Sequence, residues 1–150
     1  MIAAEDRLSA EDIIKAEIIT KLEIPFFSSY VQAGFPSPAE NWLEKVCDLN
    51  DLCIDTPEAT YFVRVISDSM IGDRIDAGDI LVVDSSKVPA DGKIVVVWLN
   101  GDHAVKRIKY AGKMVVLHSS NPKYLPIYVH PEQDDFKILG VVTNVIFKPM

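Results

Sequence analysis

Ser67-Asp68-Ser69-Met70 follows directly on an apolar run, Tyr61 to Ile66, that has the composition of a strand. A hydroxyl is a poor nucleophile until another group takes its proton, so nucleophilic chemistry at these serines requires a base elsewhere in the chain. The three histidines, His103, His118 and His130, are dispersed, and none forms a ligand-spaced pair with Cys, Asp or Glu. The run DHAVKRIKY, residues 102–110, offers a different base. With strand alternation, Ala104, Lys106, Ile108 and Tyr110 share one face, while Val105, Arg107 and Lys109 share the other. Lys106 is thus the lysine on the more apolar face. Burial disfavours an ammonium, and a lysine desolvated in this way becomes a usable base for a serine. The same residues also fit a plainer reading, in which the lysine snorkels to solvent and Ser-Asp-Ser forms a turn by bonding its own backbone.

The elements that must position these side chains read mostly as β. Candidate strands are 60–66, 80–84, 93–99, 103–109, 113–118 and 138–147, rich in Val, Ile, Tyr and Phe and divided by Gly, Asp, Asn and Pro. Close spacing without intervening helices predicts an antiparallel, partly closed β structure. Ahead of it, Ser9-Ala-Glu-Asp12 has capping-box spacing, and Ile13, Ile14, Ile18, Ile19 and Leu22 predict a short amphipathic helix before Pro25. Pro25, Pro36 and Pro38 mark residues 25–41 as a linker with apolar anchors. Trp42, Leu43, Val46, Leu49 and Leu52 then predict a short helix that opens the main domain.

At 150 residues the chain is one domain, or a domain with a short appendage. Its net charge of −7 argues against tight direct binding to nucleic acid, which needs clustered Lys and Arg, and favours a protein partner. No apolar run approaches the roughly 18 to 20 residues of a membrane span. The N-terminus lacks the basic and apolar regions of a secretory signal, so a soluble, cytoplasmic protein is expected. Cys47 and Cys53 match neither a redox nor a zinc spacing and read as reduced thiols. No cofactor motif and no metal site are expected.

Taken in order, AGFPSPAENWLEKVCDLNDLCIDTPEATYFVRVISDSM, the turn DAGDILVVDSS and AVKRI together resemble the UmuD-like self-cleaving proteins of the wider LexA-like S24 peptidase family. The resemblance covers most of residues 25–148. It implies a mainly β, LexA/UmuD-like, partly closed antiparallel domain behind a short helical or extended N-terminal arm. Ser69 falls on the family's nucleophile and Lys106, 37 residues later, on its general-base lysine. Ala33-Gly34 falls on the self-cleavage bond, which divides the chain into an arm, 1–33, and a peptidase-like, dimerising and polymerase-binding domain, 34–150. Backbone N–H groups of Ser69 and Met70 would then serve a developing oxyanion. Small Ala33, permissive Gly34 and the stiffening Pro36 and Pro38 suit an extended substrate segment. Three departures stand out: Ser67 occupies a position where glycine is usual, Ala33 is closer to the LexA pattern than to the cysteine frequent in UmuD-like chains, and Asp91-Gly92-Lys93 replaces a common Gly-Asp turn.

The function so implied is that of a self-processing SOS-response protein. In the family, a RecA filament on single-stranded DNA promotes the cut, and the shortened homodimeric form joins a Y-family, UmuC-like polymerase for error-prone translesion synthesis. A LexA-like repressor would need a DNA-binding domain, for which residues 1–33 are too short and too acidic. A signal peptidase also uses Ser and Lys but requires a membrane anchor. A non-catalytic interaction module with a vestigial dyad stays open.

Overall fold

The computed structural model describes residues 2–9, 12–15, 23–27 and 43–149. In chain order the strands are β1 (Ile13–Lys15), β2 (Glu23–Phe27), β3 (Leu43–Asp48), β4 (Thr60–Arg64), β5 (Ile80–Asp84), β6 (Ile94–Leu99), β7 (Asp102–Ala111), β8 (Met114–His118), β9 (Ile127–Val129) and β10 (Phe136–Ile146). A five-residue helix, α1 (Leu49–Cys53), follows β3, and 3-10 turns lie at Ala4–Asp6, Pro57–Ala59 and Ile71–Asp73. Eight strands form one antiparallel sheet in the order β1-β4-β5-β10-β6-β7-β8-β9, while β2 and β3 pair separately. The mainly β, antiparallel class expected of the sequence is the class observed. The eight-stranded sheet stays open, with β1 and β9 as its edges.

The central strands are covered on both faces, which explains why β6 is almost continuously apolar rather than alternating. Val95, Val97 and Leu99 pack with Ala104, Ile108, Val115 and Leu117 on one side. Val96 lies on the other with Val63, Leu81, Val83 and Val105. The β6–β7 hairpin turns through Asn100 (φ 48°) and Gly101 (φ 95°), the Asn-Gly pair whose left-handed backbone matches the twist of a hairpin.

β10 crosses the centre between β5 and β6, with register shifts at Ile138/Gly140 and Val142/Asn144. At Gly140, β10 passes so close to β5 that a Cβ there would stand 2.7 Å from a Val83 methyl and 3.1 Å from the Asp84 carbonyl oxygen. Gly140→Ala is therefore expected to cost about 1–3 kcal/mol through overpacking. A urea melt read against the unsubstituted chain checks it, and an unchanged midpoint would contradict it.

Three expectations for the N-terminal third are corrected. Ile13 and Ile14 lie in β1, paired with Val63 and Phe62 of β4, and not in a helix; Ile18, Ile19 and Leu22 lie outside the described residues. The Ser9–Asp12 spacing makes a local turn, with the Ser9 N–H and hydroxyl both donating to Asp12 Oδ2 at 2.9 Å. An unpaired β4 edge is a stronger template for two β-branched residues than an isolated short helix is for its own propensity. Pro25 belongs to β2 rather than a linker, and residues 28–41 lie outside the described set. Leu43 and Val46 belong to β3, which pairs with β2, so the helix read from Trp42 to Leu52 shrinks to α1. Trp42 is outside the described residues. Asp48 sets the boundary as N-cap, accepting from the Asn50 N–H at 2.9 Å. β9 was not anticipated, being three residues long and directly behind Pro126.

Candidate active site

The serine turn is fixed from below and from the side. After β4, Val65 exchanges backbone hydrogen bonds with the turn before β5, its N–H reaching Asp79 O at 2.9 Å and its carbonyl accepting from Gly78 at 2.8 Å. The chain then bends through Ser67–Met70 into the 3-10 turn Ile71–Asp73. Buried Met70 and Ile75 pin both ends of that turn in the core. Asp68 faces outward to the loop after β8, where its carboxylate accepts from the Tyr124 hydroxyl at 2.9 Å and its carbonyl from the Asn121 amide at 3.0 Å. The same loop meets Gly72, whose N–H donates to Ser120 O at 3.0 Å; a Cβ there would lie 2.3 Å from that oxygen. Glycine at 72 is thus a condition for close docking of the loop on the serine turn.

Lys106 points from β7 into the same region. It is only 2% exposed, between Ala104 and Ile108 on its own face, as alternation predicts. Its ammonium donates to Ser119 Oγ at 2.7 Å and stands 5.3 Å from the centre of the Tyr124 ring. It also forms a tight ion pair with a residue that the sequence had not marked, Asp6.

Asp6 is the junction of the site. One carboxylate oxygen, Oδ1, accepts from the Ser69 hydroxyl at 2.8 Å and from the Ser67 hydroxyl; the other, Oδ2, accepts from Lys106. Ser69, 2% exposed, and Lys106 therefore converge on opposite oxygens of one buried carboxylate, and among the described residues no hydrogen bond joins them directly. Ser67 is more than a turn residue: its Oγ lies 3.3 Å from Ser69 Oγ and accepts a long contact from the Ser69 N–H at 3.4 Å. That N–H is so weakly engaged that an anionic oxygen could take it over. Met70, the other expected oxyanion residue, flanks the start of the 3-10 turn. Ala33 and Gly34 lie outside the described residues.

Chemically, the cluster brings the Ser69 hydroxyl, the Lys106 amine and two further, half-buried hydroxyls, those of Ser67 and Ser119, together around the Asp6 carboxylate. Beside Lys106 a groove of about 410 Å³ opens, lined by Ala3, Glu5, Lys123, Tyr124, Leu125, Pro126 and Ile127. His103 sits elsewhere, packed edge-on against Trp98 with ring centres 4.8 Å apart. Sequence reasoning missed Asp6, Ser119, Asn121 and Tyr124. The polar run Ser119-Ser-Asn-Pro-Lys-Tyr124 carries a loop signature, but nothing in it says that the loop docks on residues some 50 positions earlier.

Tyr124 carries a measurable sign of this geometry. Its hydrogen bond to Asp68, then its burial, then the negative charges of Asp68, Asp6 and Glu5 push its phenol up from 10 to about 12. A phenol whose pKa is higher when folded contributes stability that is complete below its unfolded value near 10 and is lost as pH rises towards about 12. In a phenolate absorbance titration, Tyr124 should be among the last tyrosines to ionise. Tyr124→Phe should remove that late step and Asp68→Asn should move it to lower pH; a late step surviving in Tyr124→Phe would refute the assignment.

The chain is similar to known proteins over most of its length. The Peptidase S24-like family matches residues 25–143. Protein SamA of Salmonella typhimurium is 42% identical over 124 residues, 83% of this chain and 85% of that protein. Protein ImpA of Escherichia coli is 39% identical over 125 residues, covering 83% of each chain. The LexA repressor of Anaeromyxobacter dehalogenans is 38% identical over 128 residues, 85% of this chain but 56% of the repressor. Among the described residues no helix is long and apolar enough to cross a membrane. With the family match spanning residues 25–143 and relatives 39% and 42% identical over 83% of its length, the chain belongs to the Peptidase S24-like family.

Proposed function

We propose that this protein is a cytoplasmic, self-cleaving accessory subunit of an error-prone translesion DNA polymerase, processed during the SOS response. The supporting observation is the convergence of Ser69 and Lys106, from separate elements, on one buried carboxylate. In this reading Ser69 Oγ attacks the Ala33 carbonyl while neutral Lys106 takes the hydroxyl proton. The backbone N–H groups of Ser69 and Met70 hold the oxyanion. Lys106 returns the proton to the Gly34 amine as the C–N bond breaks, and water then hydrolyses the acyl-enzyme.

Cutting divides the chain into an arm, 1–33, and a retained domain, 34–150. Loss of the arm would remove β1 from the sheet and leave β4 as an unpaired edge, a surface on which a partner can add a strand. It would also withdraw Ile2 and Leu8 from the core. Such changes suit a switch that admits a Y-family polymerase. A homodimer is part of the same reading, and exposed Val145, Ile146 and Phe147 near the end of β10 offer it an apolar surface.

The test is to incubate the purified chain with and without a nucleotide-activated RecA filament on single-stranded DNA and to follow intact mass. The filament should hasten conversion to a species beginning at Gly34. An unchanged rate with an active filament would leave a peptidase without this trigger, and the SOS role would fall.

A further inference from the structure

The site is already occupied by the chain itself. Residues 2–8 enter it with two apolar anchors: Ile2, 2% exposed, packs in the cluster with Val97, Leu99 and Ile108, and Leu8 packs in the cluster with Val63, Met70 and Val105. Between them the 3-10 turn Ala4–Asp6, closed by the Asp6 N–H on Ala3 O at 3.0 Å, turns Asp6 inward. Past it, Arg7 pairs with Asp102 at 3.3 Å, and the Leu8 N–H donates to His103 O at 3.1 Å at the start of β7. The segment is held by side chains and backbone on both sides of the reacting groups.

We propose that the Ser69/Lys106 cleft is a binding site for a carboxylate on an apolar-flanked peptide, that residues 2–8 are its resident ligand, and that they keep the site shut until they leave. This rests on the reading of Ser69 and Lys106 as the cutting pair. Three features carry it. A carboxylate as buried as Asp6, 5% exposed, is costly unless paired, and its partners are the Ser69 hydroxyl, the Ser67 hydroxyl and the Lys106 ammonium. An ammonium bound to Asp6 has no lone pair with which to take the Ser69 proton. A scissile carbonyl must come within about 3–3.5 Å of Ser69 Oγ, where the Asp6 carboxylate already sits at 2.8 Å. With Asp6 and Leu8 in place the free space beside Ser69 and Met70 is about 10 Å³, at most enough for one water. A cut peptide also ends in a carboxylate, so Asp6 stands where the product of the reaction would stand.

The full-length chain tests this with two variants and two readouts. Asp6→Asn removes the charge while keeping the shape; Ile2→Asp removes a distant anchor without touching the reacting groups. If the site is open only a minor fraction of the time, each variant should speed self-cleavage about tenfold or more. The second readout needs no cutting: mass mapping of acetylation by acetic anhydride should find Lys106 protected in the unsubstituted chain and modified in Ile2→Asp. Faster cutting with new labelling supports the proposal. Cutting at the unsubstituted rate overturns it, and slower cutting overturns it in favour of Asp6 as a positioning residue. If no chain cuts, the label decides. New labelling in Ile2→Asp upholds residues 2–8 as the ligand and puts the failure in the cutting assignment, whereas equal protection overturns the proposal.

Discussion

Ser69→Ala is expected to slow self-cleavage by about 10⁴-fold or more, because it deletes the atom proposed to form the acyl bond and leaves only binding and oxyanion contributions. The substitution removes one donor to Asp6 but leaves the Ser67 and Lys106 contacts, so the fold should persist. Ser67→Ala is the informative control. Ser67 also touches Asp6 and lies 3.3 Å from Ser69 Oγ, yet among the described residues it makes no hydrogen bond to Lys106. It should retain cutting within about an order of magnitude of the unsubstituted chain, the scale of one lost hydrogen bond. Disappearance of intact chain, followed by mass, checks both. Equal loss in the two variants would contradict the assignment of Ser69 as the nucleophile.

Lys106→Ala should be severe in a different way. Cutting should fall by a comparable factor, but stability should fall as well, because a buried Asp6 carboxylate is left without its cation. Breaking a buried ion pair from one side costs about 3–5 kcal/mol, whereas replacing both partners by uncharged groups of similar volume can be neutral. Lys106→Met combined with Asp6→Asn should therefore recover most of the stability lost in Lys106→Ala and none of the cutting. Urea melts of the single and double variants, set beside the cutting assay, separate the two roles. A double variant no more stable than Lys106→Ala would mean that the pair is not coupled as the structure has it.

Lys106 could be placed from the sequence because it sits on a regular strand, whereas Ser69 lies in the bend after β4 and is picked out by its motif. Lys106 shares a face with Ala104 and Ile108, as a period of two dictates, but Val105 on the opposite face is buried as well, so alternation gives the face of Lys106 and the packing gives its burial. β5, at 80–84, is legible with its observed bounds because an apolar run is punctuated on both sides by Asp and Gly or Ser. The N-terminal third was harder because its pattern fits more than one element. Ile13 and Ile14 suit a helix face or a strand, and the choice was made by β4, some 50 residues away. Asp6 was invisible for a related reason: an acidic residue near a terminus reads as solvated, and its partners lie 61 to 100 positions distant, where no spacing rule reaches. Ser119 was hidden likewise, since it acts through a loop whose docking depends on the absence of a side chain at Gly72.

The most direct measurement is a time course of intact mass at alkaline pH for the unsubstituted chain beside Ser69→Ala, where a larger fraction of lysine side chains is neutral and able to accept a proton. The account predicts two fragments that meet between Ala33 and Gly34 in the unsubstituted chain and none in Ser69→Ala. The same fragments from Ser69→Ala, or a cut at another bond, would contradict it.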